Sequence, residues 1–206
     1  MTGMPANREL WERLHSQARF RPQYPSEPVV QFLSRLKGNF LDFGCGAGRH
    51  MKLAKELAFE VYGWDISSVA KTYASQWGRI DNLTEFPAEF FDAIVCYGVL
   101  YYLPSTELES TISELRRVLK GQMLLVLRSK KDYRIQYCKP LGRGDYMVEE
   151  GDGRVRSECG MLMHFFSRSE ILKRFRAFSE IQIDELMTTS ENGKYTDYDY
   201  IVKVSK

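Results

Sequence analysis

One stretch constrains this chain more than any other: Phe40-Leu41-Asp42-Phe43-Gly44-Cys45-Gly46-Ala47-Gly48-Arg49-His50. A short apolar run leads into three glycines at alternate positions and then into a segment of helical periodicity. Strand, glycine-rich turn and helix, in that order, is what a nucleotide-type cofactor needs. Glycines permit positive φ and let the backbone approach a ligand with no Cβ in the way. The following helix offers free N–H groups and the positive end of its dipole. Such turns also occur without a ligand, so the flanking carboxylates matter. Asp42 stands just before the turn, and Asp65 ends the next apolar run, Val61-Tyr62-Gly63-Trp64-Asp65. A carboxylate about 20 residues beyond the turn is placed to accept hydrogen bonds from ribose hydroxyls.

Leu41-Asp42-Phe43-Gly44-Cys45-Gly46-Ala47-Gly48 resembles the first motif of the class I S-adenosylmethionine-dependent methyltransferases, and Phe91–Leu103 resembles that family's fourth strand and the loop after it. The spacing is G-x-G-x-G, with Arg49 where a dinucleotide fingerprint has its third glycine. The resemblance covers roughly residues 24–128 by motif and the C-terminal part by pattern. It implies S-adenosylmethionine as cofactor, cradled by Gly44, Cys45, Gly46 and Gly48. It places Asp42 toward the methionine amino group, or holding the glycine loop through backbone N–H groups. Asp65 goes to the ribose or caps the next segment, and Ile66 lies against the adenine face. Asp81 is the first choice and Asn82 the second for the adenine amino group, and Tyr97 and Gly98 lie near the sulfonium.

The chain has 206 residues, 44% of them hydrophobic and 27% charged, enough for one domain with a sizeable core. A net charge of +2 is too mild to call for nucleic acid or an anionic membrane. No apolar run reaches the length of a membrane span, and the N-terminus lacks the apolar core of a signal peptide. Cys45, Cys96, Cys138 and Cys159 have no metal-type spacing and read as thiols in a reducing, cytoplasmic setting.

Helical spacing marks residues 7–16, with Leu10, Trp11 and Leu14 on one face. It also marks a helix capped by Ser26 with Val29, Val30, Leu33 and Leu36 inside, ended by Gly38. Met51, Ala54, Leu57 and Ala58 form the packing face after the glycine turn, and Val69, Ala70 and Tyr73 that of a helix within Ser67–Gly78. The short interval before Asp92 leaves room for only a curtailed third strand near Arg79-Ile80. Ser105–Leu119 is the clearest helix, stopped by Gly121, and Gln122–Arg128 reads as a strand covered on both faces. Ser167-Arg168-Ser169-Glu170 is a capping box with Phe166 and Ile171 as its staple, opening a helix with Ile171, Leu172 and Phe175 inside. Terminal strands fall near Glu180–Glu185 and Tyr198–Val204. Alternating strands and helices predict a Rossmann-like, doubly wound, mostly parallel α/β sheet. Seven strands are expected, one of them antiparallel near the C-terminus. The expected organisation is a single domain over 1–206, with an N-terminal cap (1–37) and an insertion or lid (129–166).

The loop Arg19–Tyr24 is either a surface loop or a flap over the site. The aperiodic stretch 129–166, with Arg134, Arg143 and Arg154 beside Tyr133, Tyr137 and Tyr146, suggests a lid suited to a polar or anionic acceptor. Tyr24, Tyr101, Tyr102 and Arg128 are the candidate substrate residues; Arg128 alternatively pairs with a nearby carboxylate. His164 is a candidate general base, and His50 reads as a helix-surface residue. No metal is expected, because Cys96-Tyr97-Gly98 offers no carboxylates after the fourth strand. In-line methyl transfer to an O, N or C atom of a small molecule, lipid or sugar precursor is the leading reading, by a monomer or weak dimer. A nicotinamide-dependent oxidoreductase and a non-catalytic S-adenosylmethionine-binding regulator are the alternatives.

Overall fold

The computed structural model describes residues 5–149 and 155–206; Arg154 therefore lies outside the described residues. Helix α1 (Pro5–His15) precedes α2 (Glu27–Leu33). An alternating run follows: β1 (Asn39–Phe43), α3 (Arg49–Glu56), β2 (Glu60–Trp64), α4 (Ser68–Ala74), β3 (Arg79–Ile80), β4 (Phe91–Tyr97), α5 (Ser105–Val118) and β5 (Leu119–Arg128). After the short strands β6 (Cys138–Gly142), β7 (Asp145–Val148) and β8 (Leu162–His164) come α6 (Arg168–Arg174) and the long hairpin β9 (Glu180–Ser190) and β10 (Tyr195–Ser205).

The main sheet has seven strands in the order β3-β2-β1-β4-β5-β10-β9. Strands β1 to β5 run parallel, and β10 is antiparallel to both neighbours. Successive strand side chains alternate between faces, and the core divides accordingly. Phe40, Ala93, Val95, Leu124 and Val126 pack against α2, α3 and α4. Leu41, Phe43, Ile94, Cys96, Met123 and Leu125 pack against α5, α6 and the 129–166 segment. The chain reverses its direction of travel across the sheet between β1 and β4, and a crevice opens there at the carboxyl ends.

Several details differ from the sequence reading. The helices are shorter than their periodic patterns, so Leu57 lies at the end of α3 and is exposed. Within α2 and α6 only one narrow stripe meets the sheet. Val29, Phe32 and Leu33 are buried while Val30 is exposed, and Ile171 and Phe175 are buried while Leu172 is exposed. Tyr73 is likewise exposed, with Ala70 and Ala74 inside. Gly121 does not stop a helix. It lies within β5, where an added Cβ would sit 2.3 Å from the Asp92 carbonyl oxygen, so only glycine allows β4 and β5 to close there. The terminal hairpin outruns both expected strands because its tip has something to pack on: Tyr195 is buried edge-on to Tyr133 at 5.1 Å.

The 129–166 segment forms a separate antiparallel sheet, β6-β7-β8. Val148, Met161, Met163, Phe165 and Phe166 are buried in the core beneath it. The segment is a packing element, contrary to its aperiodic appearance. Its strands are too short to show a period, and register comes from partners far along the chain.

Candidate active site

Between β1 and α3 the turn takes positive φ at Gly44 (79°), Gly46 (53°) and Gly48 (87°). The three glycines have different tasks. A Cβ at Gly44 would meet Val99 at 2.1 Å, and one at Gly48 would meet Trp77 at 2.7 Å. At Gly46 the nearest atom would be His15 Nε2 at 3.9 Å, so this glycine alone faces open space. Asp65 laces the turn from the end of β2: Gly46 N–H donates to Oδ2 at 2.8 Å and Ser67 N–H to Oδ1 at 2.8 Å. Burial pushes the Asp65 carboxyl above its usual range, against those two N–H groups and the charge of His15, which pull it down.

These groups border a cavity of about 260 Å³ that follows the sheet order. Trp64, Asp65 and Ile66 lie at one end, the glycine turn in the middle, Tyr97, Gly98 and Val99 beyond it, and Tyr102, Leu103 and Glu107 at the other end. Asn7, Trp11 and His15 of α1, together with Phe20 and Pro22, complete the lining. Helix α1 is fastened at two points. The Asn7 amide donates to Tyr102 O (2.8 Å) and Leu162 O (3.3 Å) and accepts from Leu162 N–H (3.0 Å), tying the helix to β8.

The second fastening is Glu12, which caps α4 from outside. Its carboxylate accepts from the Ser68 and Val69 N–H groups (2.7 and 3.1 Å) and from both serine hydroxyls, Ser67 and Ser68. Ser67 Oγ takes the Ala70 N–H, so the first turn of α4 is fully satisfied. Burial raises the Glu12 carboxyl, but the hydrogen bonds outweigh it and hold the pKa at about 2. A lowered folded-state pKa stabilises above the ordinary carboxylate range, and this stabilisation is lost as pH falls toward 2. Glu12→Ala is therefore expected to cost about 1 kcal/mol, the usual loss for a helix cap, and to speed amide exchange in α1 at neutral pH. Unchanged exchange there would show that α1 is held by its other contacts.

Of the residues singled out from the sequence, Gly44, Cys45, Gly46, Asp65, Ile66, Tyr97, Gly98 and Tyr102 line the cavity. Gly48 packs on α4 behind it. Asp42 is buried below, with Oδ2 lacking a hydrogen bond and 3.8 Å from His50 Nδ1. It does not lace the turn; Asp65 does. Asp81 and Asn82 line an adjoining depression with Trp64 and Lys71, where Asp81 meets Arg79 at 3.1 Å and Asn82 donates to Glu85 at 2.6 Å.

Four candidates stand elsewhere. Tyr24 is 84% exposed. Tyr101 and Arg128 are buried against each other and do not line the cavity, the guanidinium donating to the tyrosine hydroxyl at 3.0 Å. His164 is fully buried between Asp145 (2.7 Å) and Glu170 (2.8 Å), so both ring nitrogens are engaged and neither can serve as a base. Glu170 accordingly does not complete the capping box. Ser167 Oγ accepts from the Glu170 N–H, but the carboxylate turns to His164 and Arg174.

His50 is not on the surface. It is buried beside Tyr97, its Nε2 accepting from Ser26 N–H at 3.4 Å. Phe20 and Pro22 bring the Arg19–Tyr24 loop to the cavity, whereas Glu107 and His15 were missed. His15 stacks on Trp11 at 5.3 Å; its i,i+4 spacing from that tryptophan was the available signal. Burial keeps its pKa below the usual value, against the charges of Asp65 and Glu12. Among the described residues, none of 129–166 lines the cavity, and no group of three His, Cys, Asp or Glu is arranged to hold a metal. No described helix is long and apolar enough to cross a membrane.

Residues 41–127 match the family model described as a methyltransferase domain. No curated protein matches the chain. Among solved structures, an S-adenosylmethionine-dependent methyltransferase from Methanosarcina mazei superimposes with a TM-score of 0.67 at 20% identity, covering 88% of this chain and 98% of its own. The 1,6-didemethyltoxoflavin-N1-methyltransferase of Burkholderia thailandensis, solved with 1,6-didemethyltoxoflavin and S-adenosylhomocysteine, gives 0.69 at 15%, covering 98% and 87%. The magnesium protoporphyrin IX methyltransferase of Synechocystis, solved with S-adenosylmethionine, gives 0.60 at 17%, covering 98% and 92%. Residues 41–127 are thus similar to a methyltransferase domain, and the fold around them is the one these structures share.

Proposed function

We propose that this protein binds S-adenosylmethionine across the glycine turn and methylates an O, N or C atom of a small molecule without a metal, acting in the cytoplasm as a monomer or weak dimer. The observation that carries this reading is the open face of Gly46 beside the inward carboxylate of Asp65. The residues suit the cofactor. Asp65 has one backbone donor on each oxygen and lone pairs left for ribose hydroxyls. Ile66 and Trp64 offer apolar surface for a base, with Asp81 and Asn82 just beyond. The unpartnered oxygen of Asp42 fits a role toward an ammonium group through the turn. When bound, the cofactor supplies an activated methyl group on a sulfonium. Tyr97 and Gly98 border the place where that methyl would be presented, while α1 and Phe20 exclude water and hold the acceptor in line.

Calorimetry should show binding of S-adenosylmethionine and none of NAD, and labelled cofactor should transfer methyl to a component of a fractionated extract. NAD binding would favour the oxidoreductase; binding without transfer would favour the regulator. Asp65→Ala should weaken S-adenosylmethionine binding by about 1–3 kcal/mol, the cost of unpaired hydrogen-bonding groups. Unchanged affinity in a folded variant would remove Asp65 from the site.

A further inference from the structure

The cavity's two ends differ in chemistry. At the Asp65 end, backbone groups and a carboxylate serve a polar ligand. At the β4–α5 end the walls are Trp11, Phe20, Tyr102 and Leu103, with Trp11 edge-on to Tyr102 at 4.9 Å. The polar groups there are mostly spent. Asn7 is committed to backbone on both sides of its amide, and the Tyr102 hydroxyl donates to Glu158 at 3.0 Å. Glu107 remains: it lines the cavity, and no described residue hydrogen-bonds its carboxylate. Arg49, which lines the cavity from the start of α3, lies over the Tyr97 ring at 5.1 Å. Of the arginines expected to suit an anionic acceptor, Arg134 is consumed by Asp132, Glu158 and Asp197.

On the methyltransferase reading above, we infer that the β4–α5 end of the cavity receives the methyl acceptor and that this acceptor is an organic amine with a flat apolar body, its nitrogen facing Glu107. Aromatic walls attract a cation or an N–H edge through their ring faces. A carboxylate in the wall of an apolar slot selects for a positive partner and against an anion. Burial lifts the Glu107 carboxyl above its usual value. This chemistry reverses the anionic acceptor suggested by the composition of residues 129–166.

The test uses the full chain saturated with S-adenosylhomocysteine, titrated calorimetrically with tryptamine and with indole-3-acetate, which share a ring and differ in charge. Tryptamine should bind at least about tenfold more tightly, and in Glu107→Gln, with its melting curve showing a folded protein, the two should come within about threefold. Equal or tighter binding of indole-3-acetate, a preference that survives Glu107→Gln, or no binding of either probe to the complex would overturn the inference while leaving the cofactor reading intact. Failure to bind S-adenosylhomocysteine at all would instead remove the reading beneath it.

Discussion

Gly46→Val is expected to abolish detectable S-adenosylmethionine binding in a protein that still melts cooperatively. The added Cβ points into the cavity, where its nearest neighbour is the His15 ring at 3.9 Å, so the variant fits in the empty protein. Its backbone strain at a φ of 53° is on the order of 1–2 kcal/mol, a loss a domain of ordinary stability survives. The branched side chain then occupies the space a ligand needs to reach the turn, and the Gly46 N–H already donated to Asp65 leaves the loop little freedom to retreat. The neighbouring Gly44→Val separates the two effects. Its Cβ would strike Val99, so it should lower the melting temperature whatever it does to binding. Calorimetry beside thermal melts reads both. Normal affinity in Gly46→Val would reduce the motif to a turn.

Arg128→Met should lower stability by about 3–5 kcal/mol, the cost of removing one member of a buried ionic cluster, and the melting temperature by about 10 °C. The guanidinium lies 3.6 Å from Asp199, 3.9 Å from Glu158 and 3.9 Å from Asp132, with Tyr101 against it. Burial already holds the Asp199 carboxyl above its usual value against the pull of Arg128. Without the cation, Asp132 and Asp199 lose an attraction that Arg134 alone cannot replace. Affinity for S-adenosylhomocysteine should stay within about threefold, since additivity is expected for sites without shared partners. A stable Arg128→Met protein that loses methyl transfer would return Arg128 to the acceptor site.

These two residues mark where local reading ends. The glycine turn, Asp65, Ile66 and Tyr97 were legible as neighbours in one crevice because such crevices open at the carboxyl ends of the strands, a position that strand and turn signals mark locally. Arg128 was legible as a residue at a strand end and nothing more. Whether its charge meets a ligand or a carboxylate depends on Asp199, Glu158 and Asp132 arriving from three other segments. The same holds for His164, whose two carboxylate partners come from β7 and α6.

The amino-acid sequence by itself determined the class of fold, the glycine turn and the strand-end residues that line the cavity beside it, because period, punctuation and motif spacing act over short separations. Only the tertiary structure decided the rest. The described part of the aperiodic 129–166 segment became a packed sheet, α1 rather than that part came to border the cavity, and Glu107 came to line it. Each of these outcomes is a contact between residues far apart in the chain, set by which surfaces can be buried together, and local pattern carries no record of a partner that distant.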